Sequence, residues 1–523
     1  MILSWQAARP APGSQTCTKS MIRHRPIRFS FIQANAATFL LFVATALVVG
    51  LSVWQDVLLD VGLLCLAVLT GLFALAVLLS RPVLFLYFLC FLIPFSQSIP
   101  TIDIAGRTLH VGFDTIVIGV ILLGYLLHML VRGKARFVGG RAGRALLIWW
   151  GWTLCTLVLG VVHYSGAARA DAVIVFLRWS QYIPVFFLVL STDLQPRQIK
   201  TFIALFAIAG ILMAGVNLME DLVIGVDRTL VRGTGLVVRG LFLEDAQPNY
   251  NVAAAYLAIV VLLLTPFVLG AKRWRKLLGT LMLLFLLAGI GVTTSRSGLL
   301  AAAAGFVYMG LFFYPHTFFC LSLLAVPLTI VGLSTLKDTL ALKAWLQLRY
   351  IPQALPLLLG ASFESLGLPL SAKLGVSRLA RWGLGARLFA QSPLWGNGFY
   401  ATRWSQGSEV RFFTVDNYFL EMAADSGLIG ILVALLFLGA VYIAARRLFK
   451  LAGEDAVLRR FSIGYLATFV GLMVVSLTGS MFMSQKIWGA FVLLSALVCN
   501  QLHRQISRQK MAPALAAPSA GGS

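Results

Sequence analysis

The chain is a succession of long apolar runs separated by short polar stretches. About twenty consecutive apolar residues cross a bilayer as a helix. About fourteen runs approach that length: 36–54, 57–79, 82–99, 111–131, 145–162, 171–190, 201–219, 251–270, 277–293, 297–313, 317–334, 427–445, 461–480 and 486–502. The pattern predicts an all-α polytopic membrane protein with about 12–14 transmembrane helices.

The polar stretches divide by charge. Arg132, Lys134, Arg136, Arg141 and Arg144 follow the fourth run. Lys272, Arg273, Arg275 and Lys276 follow the eighth, Arg446, Arg447 and Lys450 the twelfth, and His503, Arg504, Arg508 and Lys510 the last. All follow even-numbered runs, on the side of the N-terminus. Basic residues accumulate on the cytoplasmic side of membrane proteins, so both termini are expected in the cytoplasm. Two long loops, 220–250 and 335–426, and the turn at 293–298 then fall outside. With them go Arg232, Arg239, Arg296, Arg378, Arg381, Arg387, Arg403 and Arg411, which topology does not explain. Within the larger loop, residues 336–350 read as an amphipathic surface helix. A second is expected over 378–391, capped by Ser377, with Leu379, Trp382, Ala386 and Phe389 on one side. Pro393 and the glycines of 396–398 end it, and Asp425, Ser426 and Gly427 mark the entry to the next span.

Composition agrees. Of 523 residues, 59% are hydrophobic and only 12% charged, with mean hydropathy +0.89, which excludes an ordinary soluble domain. The net charge of +23 could suggest nucleic acid, but the basic residues sit in short clusters between apolar runs. Of the six cysteines, five lie within apolar runs and Cys17 in the basic tail, with no metal-binding spacing, so they read as small buried residues. The organisation expected is a basic tail over 1–35 rather than a cleavable signal peptide. An N-terminal bundle over 36–219, a core over 220–480, a last span over 481–503 and a small-residue tail over 504–523 follow.

The chemistry is expected in the outer segments. Arg296 lies in Thr-Thr-Ser-Arg-Ser-Gly, a turn of donors at headgroup depth. It reads either as a phosphate ligand, because arginine pairs bidentately and keeps its charge, or as a helix anchor. Arginines in three outer segments suggest one anionic lipid headgroup held between Arg239, Arg296 and Arg378, with Arg232, Ser295 and Asn249 nearby. The alternative is a scatter of solvated charges. Arg178, inside the sixth run, either reaches the lipid phosphate or pairs with Asp171. Asp416 is either a general base or the cap of a short helix over 417–424, beside Asn417. Glu244 and Asp245 are weaker candidates for the base.

Four motifs in order, RGLFLEDAQPN (239–249), SRSGLL (295–300), SRLARWGLGARLFAQSPLWGNG (377–398) and DNYFLEMAADSGLIG (416–430), resemble the O-antigen ligase and Wzy-type polysaccharide polymerase superfamily over about 215–480. The resemblance implies a GT-C-like helical enzyme of the bacterial inner membrane with a large periplasmic loop. It implies metal-independent, inverting glycosyl transfer from an undecaprenyl-diphosphate-linked glycan, without a cofactor. Arg239 and Arg296 match the family's diphosphate-binding arginines, and Arg378 less closely. Ligases carry a histidine where this chain has Asp416, so the pattern favours polymerisation of an exopolysaccharide, capsule or O-antigen repeat unit, with a chain-length co-polymerase as a possible partner. Transfer to lipid A core or to a protein is the alternative. A transporter or flippase is the reading from another class, disfavoured by the sparse intramembrane charge and the large outer loop.

Overall fold

The computed structural model describes residues 82–95, 98–104, 107–112, 115, 118–119, 140–164, 167–222, 250–293, 295–315, 370–404 and 415–516. The chain divides into two compact units, Met1–Leu72 and Phe73–Ser523, and every described residue lies in the second. The predicted runs at 36–54, 57–79 and 317–334, nearly all of 111–131, and the amphipathic stretch at 336–350 lie outside the described residues.

Helix α1 (Pro82–Leu92) is followed by a 3-10 turn and an antiparallel hairpin, β1 (Ser98–Ile104) with β2 (Arg107–Gly112). The hairpin corrects the predicted span 82–99. The apolar helix there is shorter, ending in a 3-10 turn that contains Pro94, and the β-branched residues Ile99, Thr101, Ile102 and Ile104 favour a strand. The rest of the described fold is helical: α2 (Gly140–His163), α3 (Ala167–Ser180), α4 (Tyr182–Ser191), α5 (Pro196–Leu222), α6 (Tyr250–Leu269), α7 (Arg273–Val292), α8 (Arg296–Phe313), α9 (Leu370–Gln391), the one-turn α10 (Ala401–Trp404), α11 (Tyr418–Leu451), α12 (Ala456–Ser476) and α13 (Gln485–Ala516).

The predicted runs at 145–162, 201–219, 251–270, 277–293, 297–313, 427–445, 461–480 and 486–502 each fall on one of these helices. The run 171–190 is divided at Gln181 between α3 and α4, just before Pro184, which has no amide hydrogen to continue the ladder. Among the described residues, seven segments are long and apolar enough to cross a membrane. The protein is a multi-pass, helical membrane protein.

Helix α6 is the axis of the bundle, packed by α5, α7, α8 and α12. Residues Ala254 to Leu263 are all almost completely buried. Close approach comes from glycines on the neighbours, as expected where apolar surface alone does not drive helix association. A Cβ on Gly298 of α8 would collide with Ala254, and one on Gly464 of α12 would lie 2.9 Å from the Leu263 backbone. Helix α7 instead turns Trp274, Leu278, Leu281 and Leu284 outward, an apolar face suited to lipid. Cys90 is buried as expected, but Cys155 is exposed, on the outward side of α2.

Helix α12 runs antiparallel to α6, with Thr468 of α12 donating to the Ile259 carbonyl at 3.5 Å. The C-terminal end of α12 therefore lies with the N-terminal ends of α6 and α8. Tyr418, at the start of α11, packs on Phe482 in the connection after α12, with ring centroids 5.2 Å apart. The turn at 293–295, the 393–404 segment, the start of α11 and the 477–484 connection thus share one end of the bundle. The opposite end carries Lys272 to Lys276, Arg446, Arg447, Lys450, Arg459, Arg460 and Arg504.

Candidate functional site

Helix α11 starts and breaks within ten residues. Asn417 is its N-cap, and the side-chain oxygen accepts from the amides of Phe419 and Leu420 at 3.1 Å each. Asp416 is therefore not the cap, and the helix does not stop at 424 but continues through a kink into the membrane span. These two findings correct the short capped helix expected over 417–424. Asp416 stands just ahead of the cap with φ 54°. Its carboxylate pairs with the Arg381 guanidinium of α9 at 2.7 Å, each side chain 21% exposed.

The kink lies at Gly427, with φ 66° and ψ −172°, a conformation essentially confined to glycine. It interrupts the helical ladder, and the Pro-Leu-Trp-Gly-Asn-Gly turn fills the gap. The amides of Leu428 and Ile429 donate to the carbonyls of Pro393 (2.8 Å) and Leu394 (3.4 Å). The released carbonyls are also used. Ala424 accepts from the Asn397 amide and side chain, Asp425 from the Gly398 amide, and Ser426 from the Trp152 indole. Unpaired backbone groups at this depth would be costly, so the turn and the kink are one device.

Two further anchors hold the segment after the turn. The buried Asp425 carboxylate accepts from the amides of Tyr400 (3.0 Å) and Thr402 (2.9 Å), at the start of α10. The Tyr164 hydroxyl, just past α2, donates to the carbonyls of Gly398 and Phe399 at 3.1 Å each. Burial, and then the Asp425 charge, raise the Tyr164 hydroxyl well above its ordinary pKa, so it remains a donor. Glu421, one turn before Asp425 and 1% exposed, lines a small cavity of about 30 Å³ with Trp149, Thr153, Trp179 and Tyr418. Among the described residues, Tyr400 and Asp416 are the two non-glycine residues with positive φ. Such conformations gather at functional sites.

A second cluster joins the starts of α6 and α8. Ser295 caps α8, its Oγ accepting from the Gly298 amide at 3.3 Å. Asn251 Oδ1 accepts from Ser295 Oγ at 2.7 Å and from Ser297 Oγ at 3.1 Å. Arg296, between the two serines, is the first residue of α8, where the helix dipole favours an anion. Asn251, two residues past the Pro-Asn motif, and Ser295 of the Ser-Arg-Ser-Gly motif, 44 residues apart, therefore meet.

Arg378 lies within α9, which begins at Leu370; Ser377 is an interior residue and not the expected N-cap. Among the described residues of α9, Gly383, Gly385 and Leu388 are buried, while Ala386, expected on one side with Leu379, Trp382 and Phe389, is exposed. The reason is close approach to α11: a Cβ on Gly385 would lie 2.9 Å from Leu420 and 3.0 Å from Val415. Arg178 sits half-buried in the last turn of α3. Arg232, Arg239, Asn249, Glu244 and Asp245 lie outside the described residues. Asn251, Tyr164 and the clamping role of Asp425 were not anticipated. Asn251 had a signal in its position two residues after Pro-Asn, whereas Tyr164 had none.

No curated protein matches the chain. The family model described as O-antigen ligase (Wzy_C) matches residues 281–435. The matched segment contains Ser295, Arg296, Arg378, Arg381, Asp416, Asn417 and the whole Gly427 device, and leaves Arg178, Arg232, Arg239 and Asn249 outside. Glycan transfer of the ligase and polymerase type, from lipid-linked substrates at a membrane, is the activity of that family, and over this segment the chain is similar to it.

Proposed function

We propose that the chain polymerises undecaprenyl-diphosphate-linked repeat units on the periplasmic face of the inner membrane, without a metal. The observation that carries this is the setting of Asp416. It is a carboxylate in a positive-φ conformation, held by Arg381 at the head of a kinked helix, inside the segment that matches the ligase family. An acceptor hydroxyl attacks the anomeric carbon of the donor sugar. The carbon–oxygen bond to the diphosphate breaks with inversion, Asp416 takes the hydroxyl proton, and the lipid diphosphate leaves with the bonding pair. Arg296, at the positive end of α8, stabilises that leaving charge, with Arg239, Arg232 and Arg378 assisting. Ser295, Asn249, Asn417 and Arg178 complete the substrate-binding set. The basic end of the bundle faces the cytoplasm.

The test is reconstitution of the purified chain with lipid-linked repeat units in metal-free buffer, with products resolved by length. A ladder of lengthening lipid-linked glycan is expected. Arg296→Ala should lower the rate at least ~100-fold with the protein still inserted. Asp416→Asn should lower kcat by ~100-fold or more with little change in KM. An unchanged ladder from Arg296→Ala would overturn the diphosphate site. The match to a family described as O-antigen ligase favours ligation as the second reading. Transfer only when lipid A core or another acceptor is added would establish it.

A further inference from the structure

The end of the bundle opposite Asp416 and Arg296 carries a second polar cavity. Its volume is about 480 Å³, and it is lined by Gln195, Pro196, Arg197, Lys200, Asp455, Val457, Arg504 and Arg508. That size lies in the range of roughly 300–1,000 Å³ typical of small-ligand sites. Four cations from two helices converge on it, Arg197 and Lys200 from the start of α5 and Arg504 and Arg508 from α13.

The acids nearby are already engaged. The Asp455 carboxylate caps α12, accepting from the amides of Val457 (3.0 Å) and Leu458 (3.2 Å). Asp193 pairs with Arg504 at 3.0 Å while remaining 87% exposed. The helices α5 and α12 both begin here, so their positive dipole ends add to the field.

The cavity is also held in shape. Two buried amides on α13 bind the connection between α4 and α5. Asn500 donates to the carbonyls of Val189 (2.8 Å) and Thr192 (2.7 Å), and Gln501 to Leu194 (2.8 Å). Arg197 and Lys200 are thereby fixed relative to Arg504 and Arg508. Topology alone asks only for positive charge on this side; it does not ask that four cations from two helices line one pre-formed cavity. The candidate spans Pro196–Met219 and Ala456–Ser476 both start at this level, the place expected for a span's boundary with the headgroups.

We infer that this cavity binds a phosphate-bearing anion, either the headgroup of an anionic phospholipid or free phosphate. Arginine and lysine at a span boundary are the side chains that recognise such a group.

The test uses the purified full-length chain and native mass spectrometry. Phosphatidylglycerol and phosphatidylcholine of the same acyl chains are titrated separately, with inorganic phosphate as a third arm. Retention of phosphatidylglycerol over phosphatidylcholine identifies the lipid as ligand; retention of inorganic phosphate alone identifies the free anion. In either case the triple variant Arg197→Gln, Lys200→Gln, Arg508→Gln should weaken binding on the order of 100-fold, at about fivefold per charge, and Arg508→Gln alone by about fivefold. A control triple, Arg273→Gln, Arg275→Gln, Lys276→Gln, removes equal charge from exposed positions at the same end of the bundle, outside the cavity lining. It should leave binding within about twofold of the wild type. Equal loss in the two triples, unchanged binding in the cavity triple, or no binding of any probe would each overturn the assignment.

Discussion

The two ends of the bundle meet the same demand by opposite means. Each must satisfy backbone groups where helices stop near the membrane surface. At the basic end, long polar side chains do it: Asn500 and Gln501 reach across to the carbonyls of 189–194. At the other end side chains contribute too, but the break at Gly427 is closed by backbone bound to backbone, through positive-φ glycines at 396, 398 and 427 and the turn that fills the gap. Side chains tolerate small shifts, because rotamers adjust. A backbone clasp does not, and it carries Asp416 and the Tyr400 backbone in conformations that cost about 1–3 kcal/mol each. The rigid solution sits beside the proposed chemistry, where acceptor and donor must be placed to a fraction of an ångström.

The largest effect is therefore expected at the clasp. A Cβ on Gly427 would fall on the Leu394 carbonyl and 2.6 Å from the Gly396 amide. Gly427→Ala combines that collision with a forbidden conformation and should cost roughly 2–4 kcal/mol. Denaturation in detergent should show the loss, and transfer activity should disappear with it. If Gly427→Ala melts like the wild type, the clasp is not the rigid element.

The helices were legible in the sequence because membrane spans announce themselves by length and hydropathy. What the sequence hid were relations between distant residues. Asp425, Ser426 and Gly427 read as the entry to a span, but nothing local indicated that Pro393 and Leu394 would supply carbonyls to the far side of the break. Arg381 and Asp416 are 35 positions apart, and an ion pair has no periodic signature. Ser377 misled because a serine before an apolar face resembles a cap, whereas the helix had begun at Leu370. The hairpin at 98–112 was missed because Ile-rich strands and span ends are equally apolar. Asn500 and Gln501 fall within the run 486–502, whose apolar pattern says nothing of what two amides inside it would bind.

At the basic end the corresponding substitution is Asn500→Leu. It keeps the volume roughly and leaves the buried carbonyl of Val189 and the half-buried carbonyl of Thr192 without this donor, at about 1–3 kcal/mol. Melting should report that loss. Transfer kinetics should change little, because no residue of the proposed reaction lies at this end. Binding of phosphatidylglycerol should weaken, since Arg197 and Lys200 lose their fixed relation to α13. A fall in kcat equal to that of Gly427→Ala would mean that the two ends are one cooperative unit, and the contrast between them would fail.

The smallest change is at the start of α8. Ser295→Ala removes the N-cap acceptor for the Gly298 amide and one of the two hydroxyls on Asn251, at a cost of about 1 kcal/mol. Stability should barely register it. The proposed diphosphate site should register it more, because the cap fixes the first turn of α8, on which Arg296 stands. The expected result is a several-fold loss in kcat/KM with a nearly unchanged melt. Ser295→Thr, which keeps a capping hydroxyl, should restore most of the rate. A loss of rate only in proportion to the loss of stability, equal in the two variants, would reduce Ser295 to a structural cap and leave Arg296 without a demonstrated support.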